Sequence, residues 1–186
     1  MNSYIKNLKE SLMADENKVE YIVNVAAGII YRDGDNGERK VLLIQRAAED
    51  HWPLHYEFPR GKCDKGKNED VKNCAMREIK EETGLDVVIE KYLGKYAYYA
   101  DGGKRKSICY NFLCRMKDPD QEPKLSNEHK RYKWITQVGE AELLLYPDQR
   151  KFVEYVLSKD NQIRNTPEND FTVNNKVEEY LKLLKC

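Results

Sequence analysis

Apolar residues alternate or cluster in several stretches that are typical of β-strands. The first stretch, residues 19–31, is rich in β-branched and aromatic residues, and residues 40–46 form a second one. Because turn-forming residues separate these two stretches, they are typical of a β-hairpin. Further strands are predicted at residues 86–100, 107–117 and 132–136. The segment 47–70 contains two prolines and two glycines and is predicted to be mostly loop.

Helical spacing follows that loop. Val71, Ala75 and Ile79 are four residues apart, with Asp70 near the start and Gly84 at the end. This pattern predicts a helix at about residues 70–83. A second helix is predicted within residues 147–160, and short amphipathic helices are predicted within residues 1–18 and 174–185.

The order of these elements predicts a single α/β domain. Strands, a helix, more strands and a terminal helix favour a mixed sheet with helices on both faces. A chain of 186 residues is long enough for one sizeable core. We assign residues 1–18 to an N-terminal extension, residues 19–159 to the domain, and residues 160–186 to a linker and C-terminal helix.

Composition narrows the classes of function. Lys plus Arg and Asp plus Glu both number 32, so the net charge is zero, which argues against a nucleic-acid binder held by overall charge. The sequence contains neither an apolar run long enough to span a bilayer nor a signal pattern, so we expect an intracellular, cytoplasmic protein without a membrane partner. The five cysteines include no Cys-x-x-Cys pair and are expected to stay reduced.

The predicted helix of residues 70–83 crowds its glutamates. Glu78, Glu81 and Glu82 share a face, and Glu69 lies near the helix start. Like charges at this spacing destabilise a helix, although Arg77 can neutralise part of the charge. A hard divalent cation such as Mg²⁺ suits the remaining carboxylates.

The order of residues around these glutamates resembles the Nudix hydrolase family. The segment 69–85 fits glutamate, seven residues, Arg-Glu, an apolar residue, any residue, Glu-Glu, any residue, glycine and an apolar residue. "EFPRGK" at residues 57–62 resembles the entry to this motif. One departure is that seven residues, rather than five, separate Gly61 from Glu69, which we interpret as a two-residue insertion in the loop.

The resemblance implies a Nudix-type α/β/α sandwich with a curved mixed sheet, and hydrolysis of a nucleoside diphosphate linked to another moiety. It implies a Mg²⁺ or Mn²⁺ cofactor, and Arg77 would orient its ligands. The implied metal ligands are Glu78, Glu81, Glu82, Glu69 and the carbonyl of Gly61. The general base would come from the motif helix, with Glu81 as a candidate, or from Glu128 downstream. "LSNEH" at residues 125–129 resembles diadenosine tetraphosphate hydrolases in this respect.

Basic and aromatic residues near the motif are candidates for binding the substrate. Cationic side chains can meet the charge of a polyphosphate, and tyrosine rings can stack on a base. The phosphate candidates are Arg46, Arg60 and Lys62, with a second basic run at Lys104 and Lys106, and the stacking candidates include Tyr98 and Tyr110.

The substrate remains open among several alternatives. We favour a dinucleoside polyphosphate such as diadenosine tetraphosphate. The nearest alternative is the 5′ end of an RNA, capped or triphosphorylated, because "FPRGK" and "CAMREIKEETG" also resemble mRNA-decapping enzymes of the family. Diphosphoinositol polyphosphates are a third possibility, and a noncatalytic nucleotide or RNA sensor on the same fold is a fourth.

Overall fold

A computed structural model describes residues 18–34, 36–49, 54–64, 66, 68–143 and 149–158. The described part of the chain folds into seven strands in one sheet and two α-helices. The strands are β1 (Tyr21–Asp33), β2 (Arg39–Arg46), β3 (Tyr56–Glu57), β4 (Arg60–Lys62), β5 (Val87–Ala100), β6 (Arg105–Met116) and β7 (His129–Ile135). The helices are α1 (Val71–Thr83) and α2 (Gln149–Leu157), with 3₁₀ turns at Asp101–Gly103 and Val138–Leu143.

The sheet is mixed, and β1 is the strand from which it divides. β1 runs parallel to β6 along residues 21–31, and β5 pairs antiparallel with β6. On its other side β1 pairs antiparallel with β4 through residues 25–27 and with β2 through residues 31–33. β2 continues the sheet through β3 and β7. The same edge of β1 therefore pairs with β2 near its C-terminal end and with β4 closer to its middle.

Side chains of β1 alternate between two apolar layers, as period-2 strands do. Val25, Ala27 and Ile29 face the cluster that includes residues of α2, whereas Ala26 and Ile30 face the cluster that includes residues of α1. The sheet thus lies between the two helices. The predicted α/β/α sandwich is confirmed.

Helix α1 begins and ends at the residues that the sequence indicated. The Asp70 side chain accepts hydrogen bonds from the backbone N–H groups of Lys72 and Asn73, which is an N-cap. Gly84 follows the helix with φ of 69°, a left-handed conformation that favours glycine. Ala75 and Ile79 are fully buried against the sheet.

The predicted strands and the two predicted internal helices are present with small shifts at their ends. The predicted loop at residues 47–70 contains two short strands, β3 and β4, because its backbone pairs with β2 and β1. The helices predicted within residues 1–18 and 174–185 lie outside the described residues. No helix in the described part is long and apolar enough to cross a membrane.

Helix α1 approaches β1 closely over Gly28. A Cβ atom on Gly28 would lie 2.3 Å from Cδ1 and 2.9 Å from Cγ1 of Ile79. Gly28→Ala is therefore expected to lower the free energy of unfolding by about 1–3 kcal/mol through overpacking. Urea denaturation measures this change.

Gly139→Ala is the matched control, because no described atom outside its chain neighbours and its own helical turn lies within 4 Å of the position of its Cβ. We expect its stability to equal or slightly exceed that of the wild type. A Gly28→Ala protein as stable as Gly139→Ala would contradict the close packing of α1 on β1.

Candidate active site

Helix α1 carries its carboxylates to β4. Glu78 lies directly over Gly61, where a Cβ atom would come within 1.9 Å of Glu78 Oε2. One turn later, Glu82 accepts a hydrogen bond of 2.9 Å from the backbone N–H of Arg60. The absence of a side chain at Gly61 therefore provides the space that the Glu78 carboxylate fills.

Arg77 holds three of the glutamates. Its guanidinium donates to both oxygens of Glu69 at 2.8 Å, and its Nη1 donates to Glu78 at 2.7 Å and to Glu81 at 3.0 Å. Its Nη2 also donates to the carbonyl of Lys62 at 3.1 Å. The hydrogen bonds to Glu69, together with the one to Glu78, outweigh the effect of burial and raise the pKa of Arg77 above its ordinary value. Glu69 thus joins the cluster despite the insertion in the preceding loop.

Two glutamates of the cluster, Glu78 and Glu82, have raised pKa values. Burial, followed by the nearby charge of Glu57, raises the pKa of Glu82 well above its ordinary value. Burial also raises the pKa of Glu78, against the opposing effect of Arg77. Negative charge that is buried and incompletely compensated favours the binding of a cation.

The donor set suits a divalent cation. Among the described residues, the side chains of His, Cys, Asp and Glu form no group of three or more that is arranged to hold a metal ion. Glu69, Glu78 and Glu81 converge on Arg77 instead. Their oxygens, with those of Glu82, are nonetheless the hard ligands that Mg²⁺ and Mn²⁺ prefer. A bound cation would favour the charged forms of Glu78 and Glu82, which burial disfavours.

A buried carboxylate that sequence reasoning missed lies beside this cluster. Glu57 is 1% exposed and forms ion pairs with Arg46 Nη1 and with Arg60 Nε, the latter at 2.8 Å. Burial acts to raise its pKa, but Arg60, His129 and Arg46 together outweigh burial and lower the pKa to about 2. The available signal was a charged residue between Tyr56 and Phe58 in an otherwise apolar context.

Of the predicted substrate-binding residues, the structure brings three together. Arg46 and Arg60 share Glu57, and the Arg60 guanidinium lies 5.3 Å from the centre of the Tyr98 ring. Lys62 is exposed two residues further along β4. Arg60, whose side chain is only 9% exposed, thus connects Glu57 and Tyr98 to the carboxylate cluster, because its backbone N–H binds Glu82.

The other three substrate candidates lie elsewhere. Lys104 pairs with Glu20 at 2.9 Å, and Lys106 Nζ lies 5.9 Å from the centre of the Tyr99 ring. Tyr110 packs against the apolar cluster that contains α1 residues, whereas Tyr98 packs against the opposite one. Tyr98 and Tyr110 are therefore on opposite faces of the sheet and do not bracket one base between them. The alternation of side chains along β5 and β6 was visible in the sequence, but the face that borders the glutamates was not.

Glu128 lies just before β7, where its side chain is exposed and its backbone carbonyl accepts from the Ala47 N–H at 2.9 Å. Its charge is near enough to contribute to the raised pKa of Glu82. His129, the next residue, is buried, with Nε2 at 4.0 Å from Glu82 Oε1 and 3.8 Å from Glu57 Oε1. Glu128 is therefore an exposed residue near Glu82, and His129 is a buried residue beside Glu82 and Glu57.

A disulfide connects the loop to the helix, so the expectation that all cysteines are reduced is wrong for one pair. Cys63 follows β4 directly and bonds to Cys74 in the first turn of α1. The spacing of 11 residues does not by itself predict a disulfide, because only the fold turns the loop back onto the helix. Cys109 and Cys114 are free and buried, and burial raises the pKa of Cys114 to about 12.

The α/β/α fold presents clustered carboxylates on a loop and the helix that follows it, which is the arrangement expected of a metal-dependent hydrolase of the Nudix type. A NUDIX domain model matches residues 23–156, and the chain belongs to this family. It is a Nudix pyrophosphohydrolase, which confirms the predicted class of enzyme.

Relatives in the family have different substrates in their names. A bis(5′-nucleosyl)-tetraphosphatase [asymmetrical] of Rattus norvegicus is 35% identical over 105 residues, 54% of this chain and 67% of that protein. An RNA pyrophosphohydrolase of Campylobacter jejuni is 41% identical over 73 residues, 39% of this chain and 43% of that protein. The solved structure of a C. elegans Ap4A hydrolase binary complex is 28% identical with a TM-score of 0.58, and the match covers 71% of this chain and 93% of that one.

Glu82→Gln is expected to raise the free energy of unfolding in the absence of divalent cations, by about 1 kcal/mol. The substitution removes a buried charge that Glu57 repels, while the amide oxygen still accepts from the Arg60 N–H. Urea denaturation in the presence of a chelator measures the effect.

Glu122→Gln is the control of opposite sign. Glu122 accepts from Arg32, Tyr132 and Trp134, so its loss is expected to lower stability by up to about 1 kcal/mol. A Glu82→Gln protein clearly less stable than the wild type would contradict the assignment of Glu82 as an uncompensated buried charge.

Reduction of the Cys63–Cys74 disulfide is expected to lower the free energy of unfolding by up to about 3 kcal/mol, because the unfolded chain regains the freedom of a short closed loop. Urea denaturation with and without dithiothreitol measures the difference. The double variant Cys63→Ser/Cys74→Ser should show no dependence on the reductant. Identical midpoints for the oxidised and reduced wild type would contradict the prediction.

Proposed function

We propose that this chain hydrolyses a phosphoanhydride bond in a dinucleoside polyphosphate such as diadenosine tetraphosphate, with Mg²⁺ or Mn²⁺ as the cofactor. Arg60 is the observation that carries the proposal. Its backbone N–H binds Glu82, its guanidinium pairs with Glu57, and the same guanidinium lies against Tyr98. Arg60 thus contacts a glutamate of the carboxylate cluster, supplies a positive charge for phosphate and lies beside an aromatic ring that can stack on a base.

The cluster on α1 supplies the ligands of the cation. Glu78 and Glu82 would hold it, with Glu81, Glu69 and the Gly61 carbonyl as further ligands. When bound, the cation neutralises phosphate charge and lowers the pKa of a bound water. Arg77 keeps Glu69, Glu78 and Glu81 in place by the hydrogen bonds described above.

Two glutamates are candidates for the general base. The Glu81 side chain accepts a hydrogen bond from Arg77 and is 59% exposed, and Glu128 is also exposed. Either carboxylate can accept the proton of an attacking water, provided that it reaches the water within hydrogen-bond distance. The charge of Glu128 contributes to the raised pKa of Glu82, which supports a position of Glu128 near the proposed metal ligands.

The remaining contacts serve the two ends of the substrate. Arg46, Arg60 and Lys62 border the carboxylates and would meet the phosphate chain. Tyr98, on the far side of Arg60, would stack on a base. Lys104, Lys106 and Tyr110 remain predicted contacts for a more distant part of the substrate.

The 5′ end of an RNA is the second candidate substrate. The similarity to an RNA pyrophosphohydrolase, at 41% identity over 73 residues, favours it. The carboxylate cluster would bind the cation in the same way for hydrolysis of either substrate. The two candidates differ in how far the substrate extends, and a long RNA gains affinity from several additional phosphate contacts.

Turnover of a substrate panel with Mg²⁺ tests the proposal. We expect kcat/KM for diadenosine tetraphosphate to exceed that for a 5′-triphosphorylated RNA oligonucleotide by at least about tenfold. Glu82→Gln and Glu81→Gln should each lower kcat by about a hundredfold or more, because each removes a ligand oxygen charge. Glu122→Gln, whose carboxylate pairs with Arg32 instead, should keep wild-type turnover.

Each alternative has its own outcome in this panel. Preferred turnover of the RNA would transfer the proposal to the second candidate. A wild-type protein that turns over no phosphoanhydride in the panel would refute both.

A further inference from the structure

Glu57 occupies a junction of four strands. It belongs to β3, pairs across to Ile44 of β2, and is 1% exposed. Its Oε1 contacts Arg46, the last residue of β2, and its Oε2 accepts from Arg60 Nε in β4 at 2.8 Å. One carboxylate therefore uses its two oxygens on two arginines from different strands.

A third basic group approaches from β7. His129 has a side chain only 2% exposed, and its Nε2 lies 3.8 Å from Glu57 Oε1. The pairing of β2 with β7 shifts in register between Gln45 and Arg46, and Arg46 is paired with His129. Irregular pairing of this kind redirects a side chain at the end of a strand. Arg46 and His129 thus reach the same carboxylate.

Stability alone is a poor account of this cluster. A buried ion pair usually contributes little compared with apolar residues of the same volume, because desolvation offsets the attraction. What the pairing does supply is orientation, since a guanidinium whose hydrogen bonds are fixed retains one plane. Arg60 is held in addition by the Tyr96 hydroxyl at 3.4 Å and lies over Tyr98.

Both oxygens of Glu57 are engaged by arginines, which sets it apart from the carboxylates of α1. Its low pKa, caused by the neighbouring basic groups, keeps it charged and unsuited to accept a proton near neutral pH. Glu57 therefore acts on the arginines rather than on a cation or a water.

We propose that Glu57 is a positioning residue, which holds the guanidinium groups of Arg46 and Arg60 in the orientation that receives the phosphates of the substrate. The proposal rests on the proposed function in its assignment of these two arginines to phosphate. Preorganised cationic groups bind a polyanion more tightly than mobile ones, because their ordering is complete before the ligand arrives.

The effect on KM and kcat separates this role from a catalytic one. Glu57→Gln keeps the shape of the side chain but removes the charge that holds both arginines. We expect KM for diadenosine tetraphosphate to rise about tenfold or more while kcat changes less than about threefold. Glu57→Asp retains the charge and should recover part of the loss. Glu122→Gln is the matched control, because it breaks an arginine pair away from the site and should leave both constants unchanged.

Binding of inorganic tripolyphosphate, measured by calorimetry in the presence of a chelator, is a readout that does not require turnover. Glu57→Gln should weaken this binding about tenfold. If the wild type cleaves no substrate while this loss is observed, the proposed function fails and the positioning role stands. A folded Glu57→Gln protein with unchanged KM and unchanged tripolyphosphate affinity would overturn the positioning role.

A double-mutant cycle tests whether Glu57 acts through Arg46. If it does, Glu57→Gln combined with Arg46→Gln should weaken tripolyphosphate binding by less than the product of the single effects. Independent, multiplicative effects both in this cycle and in the same cycle with Arg60→Gln would overturn the proposal. Should circular dichroism show that Glu57→Gln does not fold, Arg46→Gln carries the test, because the Arg46 side chain is 23% exposed. Unchanged tripolyphosphate affinity in that variant would count against the proposal in the same way.

Discussion

The close approach of helix α1 to the sheet is the constraint on which the candidate site depends. Ile79 packs over Gly28 of β1, and Glu78 lies over Gly61 of β4. A side chain at either glycine would push the helix outward. At the present distance Glu82 reaches the backbone of Arg60, so the carboxylates lie against β4 rather than in solvent. The two contacts over Gly28 and Gly61 therefore determine both the packing of α1 and the position of its carboxylates.

Around this contact, the charges are arranged as two complementary clusters. In one, the single guanidinium of Arg77 holds Glu69, Glu78 and Glu81. In the other, the single carboxylate of Glu57 holds Arg46 and Arg60. Each cluster keeps like charges close together by means of one central opposite charge. In the function proposed above, the first cluster would hold the metal ion and the second would meet the polyphosphate.

The position of the second cluster follows from the division of the sheet. β1 pairs with β2 at one level and with β4 at another, so the ends of β2, β3, β4 and β7 meet beside the helix. Arg46, Glu57, Arg60 and His129 each come from one of these strands. Their order along the chain gives no hint of this meeting. The disulfide has a similar origin, since the loop brings Cys63 back to the first turn of α1.

Local pattern was sufficient for five of the seven strands, both internal helices and the carboxylate motif, because alternation, helical spacing and capping residues act over a few neighbouring positions. Asp70 and Gly84 indicated the ends of α1 for that reason, and the spacing of Glu78, Glu81 and Glu82 indicated a shared carboxylate face, while the reaction class was implied by the resemblance of residues 69–85 to the Nudix family. Tertiary structure alone decided which charges are buried and which groups meet. Glu57 and Glu122 both pair with arginine, yet one is 1% exposed between two arginines and the other lies at the surface. The physical reason is that burial and long-range pairing depend on how distant strands come together, and no short stretch of sequence contains that information.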